Sequence, residues 1–257
     1  MEIIRKIGLI LSWKSVIVTA LAVVSTWACL RYGIQGDFPL TLIATAIVFP
    51  IVFSIGGAYK RREAALDDYG SIKAHGRAIY FAARDWPEQP NNEKVEEIRT
   101  QLGDLLTSCR RLFSEPISKM DENEEAVYRS FSKLSRFIKS LRAEGLASGE
   151  ASRCNQYLSK MILAFEGVKH IYQYRTPRTL RAYSEVFIFL LPILYGPYFA
   201  AIAPDYSAGL QYLMPILFAV ILVSLDNIQE HLENPFDQIG EDDVAINAEK
   251  FVARLNS

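Results

Sequence analysis

Surplus charge of either sign is missing from this sequence: 28 lysines and arginines stand against 29 aspartates and glutamates over 257 residues. Without a basic excess there is no electrostatic footprint for a nucleic acid, and none is expected as a partner. Cysteine is scarce and badly spaced for pairing. Cys29, Cys109 and Cys154 form no CxxC, which excludes a disulfide framework and a zinc site and leaves buried thiols. The motifs of common catalytic machinery are absent as well. There is no GxxxxGK[ST], no HExxH and no GxSxG, and no GxGxxG follows a strand pattern. His75, His170 and His231 stand far apart in polar helical contexts that suit solvated or locally bonded rings. The chain is not expected to be an enzyme.

What the sequence does have is apolar residues gathered into blocks. Residues 15–30, 38–59, 186–204 and 206–225 carry no charge at all. Each is near the ~20 residues that cross a hydrocarbon core, whereas a soluble core helix keeps a polar face. The fold class expected is an all-α membrane protein with four transmembrane helices and a helical insert between two hairpins. No small-x-small cleavage pattern precedes Arg31, so the first block reads as a retained helix rather than a signal peptide. Arg5, Lys6 and Lys14 precede the first block, and Lys60, Arg61 and Arg62 follow the second, while the outer links hold almost no base. The positive-inside bias then puts both termini and the insert in the cytoplasm of a multi-pass cell-membrane protein.

Four segments follow: a first hairpin (1–59), a cytoplasmic helical region (60–181), a second hairpin (182–225) and an acidic C-terminal segment (226–257). Within the insert, 62–86 continues out of the second span. Val95, Ile98, Leu102, Leu105 and Leu106 recur at helical spacing, as do Val127, Phe131, Leu134, Ile138 and Leu141. A last helix is expected over 151–174, ending before Pro177. There is no internal repeat and no low-complexity linker, and the lengths suggest one continuous helical body.

The second span carries the most chemistry. Pro50 in its interior removes one backbone bond and releases the carbonyl of Ala46. Ile51, Ile55 and Tyr59 recur every four residues, so copies of this helix around an axis would stack apolar rings ~12 Å deep. An apolar constriction gates by dewetting and favours ions that shed water cheaply. The same spacing also fits side chains facing lipid or a neighbouring helix. Lys60, Arg61 and Arg62 just beyond it make either a collar that concentrates anions or simple topology-setting charges. After the fourth span, Asp226, Glu230, Glu233, Asp237, Glu241, Asp242 and Asp243 appear without a lysine or arginine among them. Hard oxygen ligands of this kind suit calcium, although the EF-hand spacing is absent. They equally suit a solvated loop or partners for basic side chains.

Three segments together resemble the bestrophins and their prokaryotic relatives. Phe53-Ser-Ile-Gly-Gly-Ala-Tyr59 followed by its charged helix looks like the family's pore helix. Glu166, Thr176-Pro177, Leu180-Arg181 and Leu190-Leu191-Pro192 are similar to the family's approach to the third span. Leu232-Glu233-Asn234-Pro235-Phe236 looks like its signature after the fourth. The chain departs from the pattern in having Asp68-Tyr69 where two tryptophans are usual, and Asp237-Gln238-Ile239 where glycine follows phenylalanine.

The resemblance implies a divergent member: a homopentameric, passive chloride or anion channel in the lipid membrane, with Ile51, Ile55 and Tyr59 at the apolar pore neck. Asn234, Glu241, Asp242 and Asp243 would fall at the calcium clasp of animal members. No cofactor is required, with calcium the one candidate. The alternatives are a cation-selective channel of the same family and a non-conducting scaffold that binds a soluble partner.

Overall fold

The computed structural model describes residues 12–36, 40–89, 91–174, 177–205, 210–233, 235–236 and 243–255, and their regular structure is entirely helical, as expected. The helices are α1 (Trp13–Tyr32), α2 (Leu40–Asp85), α3 (Asn92–Ser114), α4 (Met120–Leu141), α5 (Ser148–Gln173), α6 (Arg178–Leu194), α7 (Gly196–Ile202), α8 (Leu213–Glu233) and α9 (Ala248–Ala253). Their contacts resolve into two compact units rather than the one continuous body expected. One holds residues 1–60 and 176–233, the other 61–175 and 234–257.

In the first unit, Ser12 starts α1 through a capping box with Ser15, which satisfies amides that helix geometry leaves open. Gly33 ends it in the left-handed region (φ 68°), and the next amide, that of Ile34, reaches the Cys29 carbonyl at 2.9 Å. Helix α1 packs against α6, α7 and α8. Val18, Ala22, Ile47, Ile51, Ile188 and Leu191 are among the residues of the shared core. A close crossing depends on Gly196, where a Cβ would lie 2.2 Å from the Ser25 hydroxyl oxygen. Four helical stretches are long and apolar enough to cross a membrane. Their outward faces are apolar too, with Trp27, Phe53, Val186 and Ile221 all exposed. Such a surface is stable in lipid and a liability in water, and this is a membrane protein. The third stretch breaks at Tyr195, where α6 ends and α7 begins with Pro197 in its first turn.

The second unit is built as a water-soluble domain is built. Asn91 caps α3 by accepting from the amides of Glu93 (3.0 Å) and Lys94 (3.4 Å). Ile98, Leu102, Leu105 and Leu106 line its buried face, and Val127, Phe131, Leu134, Ile138 and Leu141 line that of α4. Polar residues occupy the opposite sides. Helix α3 packs on α4 and α9, and α4 on α5. Phe165 sits at the centre, with ring contacts to Phe113, Tyr128 and Phe131. Gly167 admits Asp68, whose carboxylate oxygen lies 2.2 Å from where a Cβ would stand.

The four expected segments shift accordingly. Helix α8 runs on to Glu233, so residues 226–233 stay with the first unit, and Pro235 stops it as its backbone requires. Residues 234–257 join the second unit, where Phe236 stacks on Phe113 (4.9 Å between centroids). The C-terminal 226–257 is thus divided between units rather than forming a segment of its own.

Candidate functional site

Pro50 leaves the Ala46 carbonyl without its helical donor, and the structure supplies one from outside α2. The Tyr183 hydroxyl on α6 donates to that carbonyl at 3.1 Å. The residue that removes a helical bond therefore also leads to a tie between α2 and its neighbour.

Around α2, Ile47, Ile51, Ser54 and Ala58 are buried and face their own unit. The opposite face is open. Phe49 is 59% and Phe53 67% exposed, and their rings meet edge to face at 4.9 Å. Val52, Gly56 and Lys60 are exposed on the same side. The expected neck residues fall on different faces. Ile51 has no exposure at all and sits in the unit's core with Val18 and Ile188. Ile55 is partly buried against that core, and only Tyr59, at 53%, is open. The physical reason is the ~40° drift of an every-four stripe, which carried the expected residues from the inner face toward the outer one. Phe49 lies ~200° around the helix from Ile51. Sequence reasoning missed Phe49 and Phe53, because both faces of α2 are apolar and periodicity cannot rank them.

The charges next to the span are partly committed. Arg62 pairs with Glu63 at 2.7 Å, and Lys60 is exposed. At the end of α8, the acids that stood out in the sequence are engaged. Asp226 pairs with Lys14, and Asn227 accepts from the Ser12 hydroxyl at 3.1 Å. Arg181 gathers three carboxylates: Glu185 at 2.8 Å, Glu233 at 3.1 Å and Glu230 at 3.6 Å. They act as partners for basic side chains. Of the residues expected at a calcium clasp, Asn234, Glu241 and Asp242 lie outside the described residues, and Asp243 is partly buried. Among the described residues no three His, Cys, Asp or Glu are grouped to hold a metal ion.

In the second unit, Glu166 binds Lys169 (2.7 Å) and the Tyr128 hydroxyl. His75 stacks on Tyr157 at 5.9 Å, and burial, then the charge of Lys160, holds its pKa below the ordinary value. His170 lies against Tyr174, so these two histidines are locally engaged and not gathered. Burial pushes the Cys109 thiol up to about 12 and, with Glu150 adding to it, the Cys154 thiol to about 11. Both are poor nucleophiles at neutral pH.

Solved proteins share this all-helical fold. No family model matches the chain, and no curated protein matches it either. A crystal structure of a bacterial bestrophin homologue from Klebsiella pneumoniae matches with a TM-score of 0.74 at 18% identity, over 98% of this chain and 97% of that one. A crystal structure of a membrane protein bearing a proline-to-alanine substitution gives a TM-score of 0.77 at 17% identity, over 95% and 98%. The chain has the bestrophin fold.

Proposed function

We propose that the protein is an ion channel. Several copies, five by the resemblance, bring the open face of α2 to a common axis, with both termini on the cytoplasmic side and lipid over the other apolar faces. The observation that carries this reading is the Phe49–Phe53 stripe, two large apolar rings left open on the helix whose sequence resembles the pore helix of bestrophins. Stacked around an axis, these rings make a constriction that conducts when wetted and holds back strongly hydrated ions. Phe49 and Phe53 take the place first given to Ile51 and Ile55, and Tyr59 lies at the lower flank.

Anions, chloride-like, are the favoured cargo. Lys60 is exposed on the open face, while Asp226, Glu230 and Glu233 are paired with bases. No cofactor takes part, and chelating calcium leaves the current unchanged. Planar-bilayer recordings of the purified protein test the proposal. Replacing Phe49 and Phe53 together by alanine raises conductance several-fold and weakens ion selectivity. Unaltered currents would remove the neck from this face. A reversal potential in a potassium chloride gradient that follows potassium identifies the cation-selective alternative, and no flux at all identifies the scaffold.

A further inference from the structure

A cavity of about 590 Å³ in the second unit lies between α2 and the segment 245–254. Its charged side chains are all basic: Lys73 and Arg77 from α2, Lys250 from α9 and Arg254 just past its end. Lys73 and Arg77 are an i, i+4 pair of like charge on α2, an arrangement that costs stability on a helix unless something between them is negative. The rings of Tyr69 and Phe251 back the cavity, with the Lys73 ammonium 4.2 Å and the Arg77 guanidinium 5.9 Å from their centroids. The acid beside Lys250 in sequence does not neutralise that ammonium. Glu249 is turned away and held by both terminal nitrogens of Arg110 at 2.9 Å. Among the described residues, no carboxylate is paired with Lys73, Arg77 or Lys250.

We propose that this cavity is a binding site for a compact, multiply charged phosphate-bearing anion. The volume is of the size of small-ligand sites and far exceeds a single halide. The Arg77 guanidinium fork matches phosphate oxygens bidentately, and the Lys73 and Lys250 ammoniums add point charge. The apo site is electrostatically unrelaxed: burial, then the neighbouring Arg77 and Arg254, lowers the pKa of Lys73. A bound polyanion would reverse that shift. The same chemistry is offered by a free polyphosphate and by a phosphorylated lipid headgroup.

Isothermal titration of the full-length protein in detergent, with tripolyphosphate and with a short-chain phosphatidylinositol bisphosphate as separate probes, tests the site. Saturable binding is expected, weakening from about 50 mM to about 500 mM salt as exposed charges are screened. Arg77→Ala and Lys250→Ala each weaken it about tenfold, while Lys73→Arg retains it. The probe bound more tightly identifies the source, and either one supports the site when those variants lose it. Should Arg77→Ala fail to fold, Lys250→Glu at the exposed rim gives the same reading. Absence of binding, binding indifferent to both substitutions, or citrate bound as tightly as tripolyphosphate overturns the proposal. The readout is independent of conduction, so its failure and that of the channel reading are separate results.

Discussion

The two units solve opposite solvation problems with the same residue types. In the second, each helix has one dry face, and apolar residues mark it: Ile98, Leu102 and Leu105 on α3 are buried while Glu96, Glu97 and Thr100 pair on the wet side. In the first, apolar residues cover both faces, because lipid accepts what a core accepts. Inside and outside there differ in shape and in hydrogen bonding rather than in polarity. Tyr183 bound to the Ala46 carbonyl and Ser25 bound to the Ile193 carbonyl at 2.7 Å show which faces meet protein.

The sharpest way to break this contrast is to hollow out the soluble-type core. Phe165→Ala removes a ring that touches three others and should cost about 3–5 kcal/mol, seen as a large drop in thermal midpoint. Within α2 the contrast predicts a split between residues two apart. Ile51→Ala should destabilise by about 2–5 kcal/mol without enlarging current, whereas Phe49→Ala should leave the midpoint nearly unchanged and raise current. Equal stability losses at both positions would mean that α2 has no open face. A smaller effect belongs to the carbonyl that Pro50 frees. Tyr183→Phe should cost about 0.5–1.5 kcal/mol, and less in a Pro50→Ala background, where the amide at 50 can serve the Ala46 carbonyl itself.

The smallest effect is on pH dependence. Because the folded pKa of His75 lies below its unfolded value, the native state binds fewer protons there. Stability is then full above about pH 6.5 and falls as pH drops through that value toward the folded pKa. Thermal melts of wild type and His75→Gln should diverge slightly in that acidic window and coincide above it.

How much could be read from sequence follows the same division. The four spans, the absence of strands among the described residues and the buried faces of α3 and α4 were legible, because length and one-sided periodicity encode them. Pro50 announced an orphaned carbonyl at Ala46, yet nothing local identified Tyr183 as its donor, since that contact joins residues 137 positions apart. The choice between Ile51 and Phe49 was illegible for the reason given by the lipid-facing surface. Sequence reasoning singled out neither Lys73/Arg77 nor Lys250/Arg254, because their meeting in one cavity is a product of the fold.

Neither unit is a contiguous piece of chain, and the return of residues 244–255 to the second has a consequence for biosynthesis. Phe236, Val244, Ile246, Ala248, Phe251 and Leu255 are buried in a core whose other buried members are made before the last two spans. On the ribosome that core waits, its seam open, until the whole membrane portion has been translated. Release of a nascent chain cut short after Glu233 would strand a greasy cleft facing water, which is the kind of surface chaperones hold and proteases clear.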